Sequence, residues 1–151
     1  MALIQDLTRC DYIPIECESL ISVGWISNDF DFPKGAVPRD FYEKLKELCK
    51  SPWEPVASAG IHHCDICQFD PPSSSSNVYV PYHGQIFVAP VAIIHYIAAH
   101  RYLPPDIFIQ AVMSCPDMRS MPYYKAVLQN GGRSLVHQGK ACPESPAQNQ
   151  K

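Results

Sequence analysis

The sequence has no excess of basic residues and no long apolar run. Twelve Lys and Arg residues stand against fifteen Asp and Glu residues, which gives a net charge of −3. Because contacts with phosphates need a basic surface, a nucleic-acid-binding regulator is kept only as an alternative function. No stretch approaches the ~18 apolar residues of a membrane-spanning helix, so the sequence predicts no membrane partner.

The sequence also lacks several familiar catalytic and cofactor-binding motifs. It contains no G-x-x-x-x-G-K-[ST], G-x-G-x-x-G or G-x-S-x-G, the patterns that hold phosphates or present a nucleophilic serine. The metalloprotease pattern H-E-x-x-H and the deaminase pattern H-x-E…P-C-x-x-C are missing as well. These absences make a non-enzymatic function the favoured hypothesis, without deciding it.

Length and composition predict one domain with a hydrophobic core. The chain has 151 residues, and 46% of them are hydrophobic, which suits a single domain of ordinary size. Fifteen prolines are roughly twice the average usage and predict short elements joined by stiff turns. The expected organisation is one α+β domain over residues 1–133, followed by a flexible C-terminal tail over residues 134–151.

Seven cysteines, an odd number, lie in a chain that starts without a visible signal peptide. The first seven residues have neither a basic segment nor a long apolar run. We therefore expect a cytoplasmic protein with reduced thiols, in which close cysteine pairs bind metal more often than they form disulfides.

Local patterns predict short antiparallel strands and about four helices. A strand rich in β-branched residues is expected at Leu20–Ile26, and a hairpin with a four-residue loop, Pro81–Gly84, joins strands at 78–80 and 85–88. The Pro- and Ser-rich segment Pro71–Asn77 resembles a mobile loop. Apolar periodicity, prolines and candidate caps predict four helices, at Pro38–Cys49, Pro90–His100, Asp106–Ser114 and Met121–Gln129, the last with Ser120 as N-cap and Gly131 as stop.

A split set of cysteines and histidines is the most specific signal in the chain. Cys64 and Cys67 form a C-x2-C pair, and a long segment separates it from His95 and His100, which form an H-x4-H pair. Two thiolates from one turn and two imidazoles from one helix are a ligand set for tetrahedral Zn²⁺. Residues five apart lie ~140° apart around an ideal helix, so the two imidazoles converge only if the helix loosens or ends at His100. The order of Cys turn, hairpin and helix predicts a ββα-like zinc-binding unit with a structural zinc.

Other ligand sets and other functions stay open at the sequence level. His62 or His63, directly before Cys64, could replace a helix histidine as a ligand. Either could also serve as the base of an HNH-like nuclease, so a metal-dependent hydrolase or nuclease is the enzymatic alternative. Two buried thiols with two ordinary histidines, or a redox-active cysteine pair, are the alternatives without zinc.

Four ligands would leave no position for a reacting water, so the favoured function is recognition of another protein. Tyrosine and arginine are enriched at binding surfaces, and several follow the helix with the histidines. The expected contact residues are Arg101, Tyr102, Arg119 and Tyr123. Ordinary half-buried helix faces explain the tyrosines nearly as well.

The chain resembles a family of small uncharacterised bacterial proteins, over roughly residues 3 to 130. The resemblance rests on Val23-Gly24-Trp25, Phe32-Pro33-Lys34-Gly35, Gly60 to Cys67, Ala89-Pro90 and Ile93 to Pro105. The C-x2-C and H-Y-x3-H segments are its specific parts. The resemblance implies a stand-alone domain built around a Cys/His metal site and, from size alone, an accessory or immunity-type protein. It implies no activity.

Overall fold

The computed structural model describes residues 6–10, 17–26, 31–55, 62–64, 66–67 and 73–138. Its strands are β1 (Leu20–Ser22), β2 (His62–His63), β3 (Ser73–Ser74), β4 (Asn77–Tyr82) and β5 (Gln85–Pro90). Its helices are α1 (Arg39–Lys50), α2 (Ile93–His100), α3 (Asp106–Ser114), α4 (Met121–Gln129) and α5 (Arg133–Gln138). The predicted α+β class in a single small domain is confirmed.

The main sheet has three strands in the order β1-β5-β4. Strands β4 and β5 form an antiparallel hairpin, as predicted. Strand β1 pairs with β5 in parallel, with Leu20 opposite Ile86 and Ser22 opposite Val88, so the prediction of antiparallel strands does not hold for this pair. The predicted strand Leu20–Ile26 is paired only over its first three residues, although the chain stays buried through Ile26.

The hairpin turns more tightly than predicted. Pro81 and Tyr82 belong to β4, and only His83 and Gly84 form the loop. Their φ angles are 51° and 81°; two consecutive positive φ angles define the type I′ turn, whose twist matches that of paired strands. Pro81 is tolerated within the strand because β4 lies at the sheet edge.

The segment predicted as a mobile loop contributes to two strands. Ser73 and Ser74 form β3, which pairs antiparallel with β2, and Asn77 is the first residue of β4. Composition favours a loop here, but pairing with a distant segment overrides it. Pro71 and Pro72, at the start of this segment, lie outside the described residues.

Three of the four predicted helices have nearly the predicted bounds. Helix α1 buries Phe41, Leu45 and Leu48 along one face, as its apolar spacing indicates. Helices α3 and α4 begin and end at the predicted residues. The Ser120 side chain accepts the hydrogen bond of the Tyr123 N–H, and Gly131 follows α4 with a φ of 91°, so both predicted helix boundaries are confirmed.

Helix α2 begins three residues later than predicted. Pro90 is the last residue of β5 rather than the first of the helix. It lies beyond the paired part of β1, which ends opposite Val88, so its missing N–H costs no bond to that strand. Helix α5 extends order into the predicted tail: Arg133–Gln138 is helical and Leu135 is fully buried. Residues 139–151 lie outside the description, and the tail there stays a prediction.

The core surrounds the hairpin β4–β5. Consecutive residues Val78, Tyr79 and Val80 are all fully buried, and since neighbours on a strand point to opposite faces, both faces of β4 are covered. Helices α1, α3 and α4 contact this strand. Within the described part of the chain, no helix is long and apolar enough to cross a membrane.

Candidate metal centre

Four side chains converge at one point between the Cys turn and helix α2. The ligand atoms of Cys64, Cys67, His95 and His100 all lie within 4.8 Å of one another. The Cys67 Sγ is 3.2 Å from the His95 Nε2 and 3.4 Å from the His100 Nε2. The Cys64 Sγ is 3.4 Å from the His100 Nε2, and the two Nε2 atoms are 3.2 Å apart.

These separations match the edges of a zinc tetrahedron. With bonds of about 2.3 Å to sulfur and about 2.0–2.1 Å to nitrogen, sulfur and nitrogen lie roughly 3.5 Å apart and two nitrogens roughly 3.3 Å apart. The observed sulfur–nitrogen distances of 3.2–3.4 Å and the nitrogen–nitrogen distance of 3.2 Å agree to within about 0.3 Å. All four residues predicted as ligands are therefore close enough to bind one metal ion.

The cysteines are carried by a two-stranded ribbon of their own. Cys64 directly follows β2, and β3 returns antiparallel to it, with His63 opposite Ser73. The ββα-like order therefore holds, but the strands beside the cysteines are β2 and β3, while the hairpin β4–β5 belongs to the main sheet. Cys64 is only 1% exposed, whereas Cys67 is half-buried, so one side of the site faces the core.

The histidines converge because α2 ends immediately after the second of them. Arg101 adopts a left-handed conformation with a φ of 59°. The Arg101 N–H and the Tyr102 N–H both donate to the Tyr96 carbonyl oxygen, the second at 3.1 Å, so the helix ends at a left-handed residue, as helices commonly do. His100 is thus the last helical residue, and the two rings meet edge to face with centroids 4.9 Å apart. The predicted helix end at His100 is confirmed.

The end of α2 is held by the segment that precedes α1. The Gly35 N–H donates to the Arg101 carbonyl oxygen, and the Leu103 N–H donates to the Pro33 carbonyl oxygen, both at 2.9 Å. These two bonds frame the antiparallel bridge between Lys34 and Tyr102. The backbone directly after His100 is therefore fixed by a part of the chain that is distant in sequence.

A carboxylate that no local motif singles out supports the same region. The fully buried Tyr102 donates its hydroxyl hydrogen to the Asp6 Oδ2 at 2.6 Å, and the Asp6 Oδ1 accepts the Gly24 N–H at 2.9 Å. Burial, and then the neighbouring Asp6 charge, raise the pKa of Tyr102 above its ordinary value of 10.0. Asp6 and Tyr102 are 96 positions apart, so sequence reasoning could not have linked them.

The pKa values of two of these groups, His95 and Cys67, are shifted at the site. Burial, followed by the neighbouring His100, lowers the pKa of His95 below its ordinary value of 6.5. The neutral imidazole that results is the form that coordinates a metal. Desolvation, then the hydrogen bond and charge of Cys64, raise the pKa of Cys67 above 9.0. Two adjacent thiolates thus repel each other unless a cation lies between them.

Three other histidines and Asp65 differ in how far the structure describes them. The backbones of His62 and His63 form β2, but their side chains lie outside the description, and their participation stays a prediction. His83, the other histidine near these segments in the sequence, is exposed in the hairpin turn and stacks on Tyr82. Asp65, between the cysteines, lies outside the described residues.

Two of the four predicted contact residues are not on the surface. Tyr102 and Tyr123 are both fully buried. The Tyr123 hydroxyl donates to the Tyr79 carbonyl oxygen at 2.7 Å, so both phenols have internal partners, and the prediction of exposed tyrosines is wrong for them. Arg101 and Arg119 are exposed, as expected.

Comparison with known proteins places the chain in a family and gives it no activity. No curated protein and no solved structure is significantly similar to it. Residues 2–113 match one family, a span that includes all four converging Cys and His residues. Since the match covers well over half of the chain, the protein belongs to the family described as Domain of unknown function (DUF7919).

Proposed function

We propose that Cys64, Cys67, His95 and His100 hold one structural Zn²⁺ ion. The observation that carries this proposal is that three sulfur–nitrogen distances and the nitrogen–nitrogen distance match those of a zinc tetrahedron, with all four ligand atoms within 4.8 Å of one another. Two thiolates and two imidazoles in this geometry suit zinc, which has no redox chemistry and no preference for a planar site. Harder ions such as Mg²⁺ and Ca²⁺ prefer oxygen ligands.

The ion would fasten the ribbon β2–β3 to helix α2. Each strand of the ribbon has only two residues, and such short hairpins are unstable alone in water. Two bonds to the Cys turn and two to the helix join the ribbon to a helix that buries Ile93, Tyr96 and Ile97. The free energy of metal binding then contributes directly to folding of this region.

If the ion is structural, we infer that the function is recognition. The protein would then be a small cytoplasmic zinc-stabilised protein that binds another protein, as an adaptor or immunity protein does. Four protein ligands leave no open position for a substrate or a water. All six cysteines within the described residues are free thiols, which is consistent with a reducing compartment. Exposed Arg101 and Arg119 are the contact residues that remain from the sequence hypothesis.

Elemental analysis of purified protein tests the metal proposal. We expect about one zinc per chain, lost in Cys67→Ser and in His100→Ala. His83→Ala is the matched control, because His83 is exposed in the hairpin turn and stacks on Tyr82, away from the four candidate ligands. The proposal would be contradicted if wild-type protein without metal were as stable as the zinc-loaded protein. Equal loss of zinc in His83→Ala and His100→Ala would contradict it as well.

A parallel assay separates recognition from catalysis. The zinc-loaded protein is screened against phosphodiester, ester and peptide substrates beside the Cys67→Ser variant. We expect no zinc-dependent turnover. Turnover that disappears in His62→Ala or His63→Ala, with zinc content and melting temperature preserved, would instead support the hydrolase or nuclease alternative. If the protein acts by recognition, Arg101→Ala should weaken the binding of its partner protein and leave the zinc content unchanged.

A further inference from the structure

A cavity of about 490 Å³ lies between the C-terminal half of α1 and the connection from α3 to α4. None of the four Cys and His residues of the metal centre lines it. One wall is formed by five residues of α1 and its end, and the other by four residues of the α3–α4 connection: Lys44, Glu47, Leu48, Lys50 and Ser51, and Cys115, Asp117, Met118 and Arg119. Its volume is within the range of small-molecule sites, roughly 300–1,000 Å³.

The floor of the cavity is apolar and uncharged. Leu48, Cys115 and Met118 line it, and all three are buried. Burial raises the pKa of the Cys115 thiol to about 12, so the sulfur carries no charge at neutral pH. The floor can therefore cover the apolar part of a ligand and does not repel an anion.

The rim carries an excess of positive charge. Three cationic side chains, Lys44, Lys50 and Arg119, face the cavity with two carboxylates, Glu47 and Asp117. Lys50 and Glu47 pair with each other at 3.5 Å. The Asp117 Oδ1 accepts the backbone N–H of Arg119 at 2.9 Å.

Lys44 and Arg119 have only uncharged partners in the part of the chain that the structure describes. The Lys44 Nζ donates to the Met113 carbonyl oxygen at 3.4 Å, and the Arg119 guanidinium donates to the Ser51 hydroxyl. A guanidinium has five N–H donors and an ammonium has three. Both groups thus keep donors for an anion at the rim.

We propose that this cavity binds a small organic carboxylate with an apolar body. The carboxylate contacts Lys44 and Arg119, and the apolar body covers Leu48 and Met118. The site does not involve the metal centre, so this proposal and the zinc proposal can be tested independently.

Matched small probes test the charge and the location together. Octanoate and 4-phenylbutyrate are titrated into ¹⁵N-labelled wild-type protein, beside octylamine and 4-phenylbutylamine, which have similar apolar bodies and the opposite charge. We expect the carboxylates to shift the amide signals of residues 44–51 and 115–119 in a saturable manner, and the amines to bind at least tenfold more weakly. Tighter binding of the amines, or no shift in these two segments with any probe, would overturn the proposal.

Charge variants then locate the carboxylate. The double variant Lys44→Gln/Arg119→Gln should weaken octanoate binding about tenfold, because two partly exposed ionic contacts are lost. Lys46→Gln is the control on the same helix, since Lys46 pairs with Glu43 and does not line the cavity. Melting temperatures verify that all variants are folded. Equal binding by the double variant and the control would contradict the proposed contacts.

Discussion

Replacing Tyr102 by phenylalanine removes one hydrogen bond and leaves the packing in place. The Tyr102 hydroxyl is buried and donates to a carboxylate oxygen of Asp6 at 2.6 Å. Its ring also packs edge to face on Phe32, with centroids 6.1 Å apart, and phenylalanine keeps this contact. The Asp6 carboxylate retains the Gly24 N–H as a donor, so the change isolates the phenol–carboxylate bond.

The expected loss of stability follows from the charge on the acceptor. Hydrogen bonds to charged groups contribute about 1.5–3 kcal/mol to the free energy of unfolding. In a domain of this size, each kcal/mol corresponds to roughly 2–4 °C in melting temperature. Tyr102→Phe should therefore lower the melting temperature by about 3–12 °C. Zinc content should be unchanged, because the backbone bonds of Gly35 and Leu103 still hold the end of α2.

Tyr123→Phe is the matched control, and urea denaturation measures the free energy of unfolding of both variants. Tyr123 is equally buried, but its hydroxyl donates to an uncharged acceptor, the Tyr79 carbonyl oxygen. Such bonds contribute about 0.5–1.5 kcal/mol. We expect Tyr102→Phe to be the more destabilised of the two variants. A urea midpoint of Tyr102→Phe equal to that of the wild type, or a larger loss of stability in Tyr123→Phe than in Tyr102→Phe, would refute the argument.

Three further predictions concern packing, pH and metal removal. Gly24→Ala should lower the free energy of unfolding by about 2–5 kcal/mol, because Gly24 has a φ of 83° and an added Cβ would lie 2.7 Å from the Ile93 Cδ1. Ile93→Val should then reduce the free energy of unfolding less in the Gly24→Ala variant than in the wild type. Burial raises the pKa values of Cys49 and Cys115 from 9.0 to about 12, and those of Tyr102 and Tyr123 above 10.0. The folded protein therefore binds more protons than the unfolded chain above pH 9, and the urea midpoint should fall as the pH rises from 9. Chelation of zinc should accelerate amide hydrogen exchange first at residues 62–67 and 93–102, and unchanged exchange after verified zinc removal would contradict the structural role.

Elements specified by local pattern were predictable from the sequence. Helix α1 follows from apolar residues at 41, 45 and 48, and all three are buried. Helix α4 follows from a serine cap and a terminal glycine, and both act as expected. The four candidate ligands were chosen from their spacing, and they converge within 4.8 Å. For the helices the signal lies within a few residues of the feature, and for the metal centre it lies in two short motifs, C-x2-C and H-x4-H.

Features that depend on distant pairing were not predictable. The parallel pairing of β1 with β5 joins segments that lie far apart in the sequence. Ser73 and Ser74 form a strand only because β2 lies beside them. Pro90 suits either the first turn of a helix or the end of a strand, and the register of the sheet decides between them. The bond from Tyr102 to Asp6 likewise leaves no trace in local sequence.

X-ray absorption spectroscopy at the zinc edge of the purified wild-type protein tests the central claim most directly. The account predicts one zinc site with two sulfur ligands at about 2.3 Å and two imidazole nitrogen ligands at about 2.0–2.1 Å, from Cys64, Cys67, His95 and His100. A site with three protein ligands and one water oxygen, or protein that carries no zinc, would contradict it.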